Sequence, residues 1–424
     1  MAHQRKFRYF MALSALLVLL LAVAPVAGPA KGATGLILDP DTQFYVRKPD
    51  LGALQQIAGL ISTGDKADAD LIRTMIAIPQ AVWITGGAPQ KTQQEVKNTV
   101  QRAAGKGTVP VLVAYNIPFR DCAQYSAGGA TSLAEYEAWI DAFAAGIGSN
   151  PAIVILEPDG LGIIPYYDPF GSADGSNKLE WCQPPEADPA TAAEDRFALM
   201  NYAVDALKTQ PNTRVYLDGT HSGWLGAGDA AQRLVLAGVE RADGFFLNVS
   251  NYQLNERLEK YGAWISGCIA FATDPEEGGW RLGHYEWCAS QYYPASPDDF
   301  STWHLTDEWY AGSLGTAVPT THFVIDTSRN GVGPWQPPAG AYPDPQDWCN
   351  PPGRGLGIPT TADTGVDLLD AYLWVKIPGE SDGQCTRGTG GPLDPARGVE
   401  DPPAGQWFPD MALELVQNAN PALP

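Results

Sequence analysis

A parallel α/β barrel is the fold this 424-residue sequence predicts, and three observations predict it. Seven short apolar runs recur along the chain, stretches of helical periodicity separate them, and nearly every run ends in a polar or charged residue on its carboxyl side. Parallel strands need long crossover connections, which intervening helices supply. In a closed parallel barrel all strand ends of one sense lie on one face, where the loops build an active site. An open doubly wound sheet would also gather ligand groups at strand ends, but no Gly-rich dinucleotide loop is present. A barrel, distorted, is therefore the expected form.

The elements follow in order. The basic head MAHQRKFR leads into an apolar run from Tyr9 to about Ala27 and then the small-residue stretch AGPAKGATG. That is the pattern of a secretory signal peptide, residues 1–30, with cleavage after Ala27 or Ala30. An uncleaved anchor is the alternative, because the run nearly reaches the ~20 residues a bilayer span needs. Residues 31–424 are expected to form a single domain. Its strands are AVWITG (81–86), VPVLVAYN (109–116), AIVILEPD (152–159), RVYLDGT (214–220), DGFFLNVSN from 243, THFVIDTS from 321 and AYLWVKIPGE from 371. Between them, residues 132–148 and 193–209 repeat apolar residues every three to four positions, as amphipathic helices do. Ser132 and Glu135 have capping-box spacing at the start of the first. The polar strand ends are Asn116, Asp159, Asp218, Asn248, Asp326 and Lys376. Long Pro-, Gly- or Trp-rich loops at 160–192, 267–300, 327–365 and 386–406 are of a length usually reserved for function.

The formal net charge is −21, and removal of Arg5, Lys6 and Arg8 with an acid-free leader takes it to −24. Such a chain should repel nucleic acid and anionic lipid, so the expected partner is neutral or cationic. After signal cleavage no membrane association is expected, and the expected state is a monomer. Six cysteines, Cys122, Cys182, Cys268, Cys288, Cys349 and Cys385, all lie in the exported part. An even number in an exported chain suggests three disulfides, for which fifteen connectivities exist. Sequential pairing would close loops of 60, 20 and 36 residues. Zinc is the rival, but there is no CxxC spacing and the five histidines are scattered, so no metal or cofactor is expected.

Strand-end carboxylates, 13 tryptophans and few histidines narrow the chemistry. Hydrolysis of an acetal such as a glycosidic bond needs a proton donor at the leaving oxygen and a second carboxylate assisting from the other side. Aromatic platforms hold the apolar faces of sugars while polar groups fix their orientation. Within ILEPDG, Glu157 and Asp159 sit two apart, so an extended strand would point them to one face, with Asp159 at the mouth and Glu157 deeper as a buried support.

The strings VAYNIPFRDCAQYSAGG (113–129), ILEPDG (155–160), VYLDGTHSGWLG (215–226), FLNVSNY (246–252), DWCN (347–350) and WVKIPGESDGQC (374–385) resemble family 6 glycoside hydrolases. These are cellulases that cleave β-1,4-glucan with inversion on a distorted, TIM-like barrel of seven or eight strands, with long disulfide-tied loops over the C-terminal face. The resemblance implies Asp159 as general acid, Asp121 as the aspartate that tunes it, Asp382 as base and Tyr115 at the scissile sugar. It implies Trp83, Trp224 and Trp348 as platforms, and Asp218, His221, Asn248, Arg329, Lys376 and Glu380 as further substrate-binding groups. Ser126 matches a loop serine near the attacking water only with a one-residue shift. The segment holding Cys268 and Cys288 resembles an insertion at the cleft rim, and Trp139 and Trp374 belong to the core by their place in helix and strand patterns.

The family contains endoglucanases with open clefts and cellobiohydrolases with roofed tunnels. Cys385 follows Asp382 by three residues, which would tie the second loop down and favours the endoglucanase; the Gly/Pro-rich segment 386–405 could fold over the substrate and keeps the cellobiohydrolase as alternative. A non-catalytic glucan-binding protein could dispense with Asp121, Asp159 and Asp382, all of which are present. A retaining glycosidase would need a glutamate nucleophile, and Glu157 on the acid's own strand is the only strand-end candidate.

Overall fold

The computed structural model describes residues 36–170, 181–275 and 279–423; the expected signal peptide lies outside them. Seven strands appear where the apolar runs stand: β1 Val82–Ile84, β2 Val111–Ala114, β3 Ala152–Leu156, β4 Thr213–Asp218, β5 Gly244–Leu247, β6 His322–Asp326 and β7 Leu369–Leu373. Only β7 is displaced, beginning two residues before the expected start. All neighbours pair in parallel in the order β1 to β7, so each crossover moves one strand along a curling sheet.

The helices are α1 Leu51–Thr63, α2 Lys66–Ala77, α3 Pro89–Ala104, α4 Leu133–Ile147, α5 Ala192–Lys208, α6 Ala227–Leu236, α7 Asn255–Thr273, α8 His304–Ser313 and α9 Pro409–Gln417. α4 and α5 are the two amphipathic stretches, and the Ser132 side chain caps α4 by accepting from Glu135 N–H at 3.2 Å. α7 runs through Cys268 to Thr273, so the loop expected over 267–300 starts later, after a helix whose apolar residues continue past Gly267.

Both faces of the sheet are buried, which is why the runs are unbroken rather than alternating. Leu112, Val154, Leu156, Val215, Leu217 and Phe245 face the helices and pack with Trp139, Ile140 and Phe143 of α4. Val111, Val113, Ile153, Ile155, Tyr216, Phe246, Val324 and Leu373 point the other way and fill the interior. The sheet curls until β7 meets β1, where the join is not a ladder: Ala81 N–H donates to Trp374 O at 2.9 Å and the Trp83 indole to Val375 O at 2.8 Å. Trp374 is 1% exposed there and packs with α1, α2 and α9, confirming it as core along with Trp139.

Three disulfides, Cys122–Cys182, Cys268–Cys288 and Cys349–Cys385, follow the sequential pairing. The first and third fasten loops that leave the carboxyl ends of the strands.

Candidate active site

A cleft of about 670 Å³ opens at the carboxyl ends of the strands. Of the residues singled out from sequence, Trp83, Tyr115, Asp121, Asp159, His221, Trp224, Trp348, Lys376, Glu380 and Asp382 line it. Asp218, Asn248 and Arg329 do not, and each has a different occupation.

β3 ends at Leu156, and Glu157 and Asp159 have φ of 54° and 61°. The extended-strand argument for a shared face therefore fails: the chain turns left-handed as soon as it leaves the sheet. Gly160 is required by this turn, since a Cβ there would stand 2.6 Å from Glu157 O. The roles expected for the two acids nonetheless separate. Glu157 is fully buried and accepts from Asn116 N–H (3.0 and 2.8 Å to its two oxygens) and Ile117 N–H (3.0 Å), tying the β3 end to the loop after β2. Burial outweighs those donors and pushes its carboxyl up to about 7.

Asp159 lines the cleft and holds its proton well above the usual carboxylate range. Burial is the first cause, and the charges of Asp218, Asp121 and Asp382 add to it. Asp218, at the end of β4, is behind the acid rather than in the cleft lining. Its oxygens accept from Leu161, Gly162 and Thr220 N–H at 3.2, 3.1 and 2.9 Å, which fixes the segment following Asp159. Burial raises it to about 6 against those bonds.

The loop after β2 carries Tyr115, Arg120 and Asp121. Arg120 does not serve as a counter-ion in contact with Asp121. Its guanidinium lies 4.4 Å from the Tyr115 ring centre and donates to Tyr115 O (2.6 Å), Thr85 O (2.9 Å) and Ser126 O (3.0 Å). Asp121 accepts from Ser126 N–H at 2.6 Å, and its carboxyl is raised to about 6, chiefly by burial. Trp83 meets Tyr115 edge-on at 5.4 Å, forming a corner of the cleft floor.

Across the cleft, Asp382 is in the opposite electrostatic state. Arg329 donates to it at 2.9 Å, Lys376 pairs with it at 3.2 Å, and Asn350 N–H (3.0 Å) and the Tyr252 hydroxyl (3.4 Å) also donate. Burial alone would raise this carboxyl, but the two cations hold it below the ordinary range. Arg329 is thus Asp382's counter-charge, fully buried, rather than a lining group. Lys376 is oriented by Asp382, while Glu380 faces Arg47 at 3.7 Å.

Asn248 is also structural. It is fully buried with φ 68°, donates to Asp326 O (2.8 Å) and accepts from Gln253 N–H (3.0 Å). It shapes the loop whose Ser250, Asn251, Tyr252 and Gln253 reach the cleft. Asn248 begins the sequon NVS, and in the fold its side chain is buried. His221 stands beside Trp224, ring centres 5.8 Å apart, and burial pushes its imidazole down to about 4, so it is neutral above that pH.

Sequence reading missed Trp181, which lines the cleft at 52% exposure, and Arg196. Arg196 is buried and donates to Gly160 O (2.6 Å), Ile163 O (2.8 Å) and Pro118 O (2.8 Å), clamping the Asp159 loop to the Asp121 loop. Trp181 had a signal: it precedes Cys182, whose partner Cys122 follows Asp121. Arg196 had none beyond being a cation inside an amphipathic helix.

A family model described as glycosyl hydrolases family 6 matches residues 39–419. The chain is 34% identical over 387 residues to Endoglucanase A of Cellulomonas fimi, covering 91% of this chain and 62% of that protein, so it spans less than two thirds of that relative. It is 33% identical over 416 residues to Endoglucanase 1 of Streptomyces halstedii, covering 97% and 98% of the two chains. Among solved structures, the endoglucanase Cel6 of Mycobacterium tuberculosis in complex with methyl-cellobiosyl-4-deoxy-4-thio-β-D-cellobioside is 33% identical. It aligns with a TM-score of 0.62, covering 89% of this chain and 97% of that one.

Proposed function

Because the chain belongs to glycosyl hydrolase family 6, we propose that it is a secreted endo-β-1,4-glucanase that cleaves internal bonds of cellulose or related β-glucan with inversion. The observation that carries this reading is the position of Asp159, a carboxyl in the lining of the cleft at the carboxyl ends of the strands with Asp121 and Asp382 in the same lining. Burial and the charges of Asp218, Asp121 and Asp382 raise its proton affinity, which suits a donor to the leaving glycosidic oxygen. Trp83, Trp224, Trp348 and Trp181 supply ring surfaces along the cleft for sugar faces. Tyr115, at the floor beside Asp159, crowds the sugar at the cleavage point; ring distortion there lowers the barrier by roughly 1–5 kcal/mol.

The second proton transfer divides between two aspartates. Asp382 is the expected base, but its oxygens are taken up by Arg329, Lys376, Asn350 and Tyr252 and its proton affinity is depressed. We therefore assign Asp382 the fixed negative charge that faces the developing oxocarbenium ion, and Asp121, with the higher proton affinity and Ser126 beside it, the uptake of the water's proton.

Endo action is supported by the endoglucanase relatives and by the third disulfide. The 386–405 segment is fastened by the buried Arg387, which pairs with Asp394 at 2.7 Å and donates to the Pro345, Gln346 and Cys349 carbonyls beside Trp348. From that segment Ala404 and Gly405 reach the cleft. Secretion is supported by the leader sequence and three disulfides; among the described residues no helix is long and apolar enough to cross a membrane. The test is loss of viscosity against reducing ends on carboxymethylcellulose: an endoglucanase collapses viscosity early, a processive exo-enzyme hardly changes it. Proton NMR of the first-formed anomer decides inversion.

A further inference from the structure

Four large aromatic side chains, Trp280, Trp287, Tyr292 and Tyr293, stand 60, 44, 44 and 80% exposed within residues 280–293, outside the cleft lining. Exposed apolar area of this density on a soluble protein marks an interaction surface. The surface is held in shape from behind. Cys288, next to Trp287, is bonded to Cys268 of α7, and Trp280 meets Phe271 of that helix edge-on at 6.1 Å. Arg281 points inward, donating to Ser313 O and Leu314 O at 2.9 and 3.1 Å. Trp280 and Trp287 lie near parallel, 27° apart with ring centres 5.7 Å apart, and the His284 ring continues the series 3.7 Å from Trp287 at 3°.

Two further observations select the occupant. The cluster offers ring surface, most of it on Trp280 and Tyr293, and its charged groups are paired within it: Arg281 is buried, and His284 meets Glu286 at 2.7 Å. A neutral ligand with apolar faces fits such rings, and the exposed Glu286 carboxylate among them is turned to His284. The carboxyl-terminal end of the cluster is fastened to the edge of the cleft. The Tyr292 hydroxyl donates to Trp224 O at 2.8 Å, and Gln291 donates to Ser222 O and Leu225 O at 3.1 and 2.7 Å, so the segment is fastened to the edge that carries the Trp224 platform. Trp287 is five residues from Tyr292, at most about 18 Å of extended chain.

We propose that the Trp280–Trp287 surface is an accessory binding platform for a β-1,4-glucan polymer, engaging chain or fibre that extends past the Trp224 end of the cleft. The proposal rests on the substrate reading given above. It is tested in the Asp159→Ala background, where polymer is bound without being cut. Trp280→Ala/Trp287→Ala in that background is expected to weaken retention on insoluble cellulose and in hydroxyethylcellulose affinity gels about tenfold. Binding of cellotetraose by calorimetry is expected to be unchanged. Trp280→Phe/Trp287→Phe, which keeps ring surface, should recover most of the retention, and melting curves confirm that the variants are folded. Equal retention by the alanine variant overturns the platform. So does light scattering showing that the parent is a dimer and the alanine variant a monomer, because the surface then serves a second copy. A parent that binds neither polymer nor cellotetraose overturns the substrate reading itself, and the platform with it.

Discussion

The two sides of the cleft bury the same functional group in opposite states. On the β2–β4 side, Asp121, Glu157, Asp159 and Asp218 all have raised proton affinity; on the β6–β7 side Asp382 is held ionised. Burial acts on all five in the same direction. What differs is the counter-charge: Asp382 has Arg329 and Lys376 within 3.2 Å, while the cations of the first side, Arg120 and Arg196, spend their donors on backbone carbonyls. Arg120 still favours the charged forms of Asp121 and Glu157 from a distance, but without a direct ion pair it is outweighed by burial. One side therefore raises the proton affinity of its carboxyls and the other holds a carboxylate ionised, a contrast that suits a proton donor facing a group that stays charged.

The largest expected effect breaks the side of raised proton affinity. Asp159→Ala should lower kcat on cellulose-type polymers by roughly 10²–10⁴-fold, with a smaller loss on aryl cellosides whose leaving group needs less protonation. Intact polymer turnover would remove Asp159 from the mechanism. Next in size is the side that holds its carboxylate ionised. Arg329→Met leaves Asp382 buried without its closest cation and should cost roughly 3–5 kcal/mol of unfolding free energy in denaturant titration. The pH dependence follows in sign: Asp382's depressed pKa contributes stability that is complete above the ordinary carboxylate value and is lost as pH falls from there through the depressed one, so the variant should lose less on acidification than the parent. An Arg329→Met protein as stable as the parent would mean that the contrast between the two sides is not built on this pair.

How much of this was legible in the sequence follows from the same contrast. Seven apolar runs located seven strands, because a sheet buried on both faces leaves a continuous signal, and strand-end position located the cleft face. It did not say which strand-end side chains enter the cleft. Asn248 and Arg329 turn to neighbouring loops, and Asp218 to the backbone after Asp159, because loop dihedrals, not strand alternation, aim them. The left-handed φ of Glu157 and Asn248 shows how soon alternation ceases to apply. Disulfide adjacency could have added Trp181; nothing in the sequence pattern marks Arg196 as the clamp between two loops.

A smaller effect sharpens the comparison at Glu157. Its carboxyl is raised from 4.5 to about 7 by burial, so the folded protein binds more protons than the unfolded chain between those values. The stability this contributes is full below pH 4.5 and is lost as pH rises to about 7. Glu157→Gln removes that titration and should flatten the decline of Tm across the window. The amide would also set an NH₂ group among the Asn116 and Ile117 N–H donors that the carboxylate oxygens now accept, at a cost of about 1–3 kcal/mol. A variant that keeps the parent's slope would place the titration elsewhere on this side.

The smallest effect is the most specific. Asp121 is one of three carboxylates whose charge raises Asp159, and it ionises near 6. A general acid works while protonated, so the alkaline limb of the kcat profile marks its deprotonation. Asp121→Asn removes a negative neighbour, lowers the affinity of Asp159 for its proton, and should move that limb to lower pH by up to about one unit, ~1.4 kcal/mol. Turnover falls in the same variant because Asp121 is assigned the water's proton, but the limb's position is read independently of its height. Asp382→Asn is the matched control from the other side. It also removes a negative neighbour of Asp159 and should shift the limb in the same sense, yet it alone leaves the buried Arg329 unpaired and costs stability. Equal destabilisation by the two substitutions would mean that counter-charge does not distinguish the two sides of the cleft.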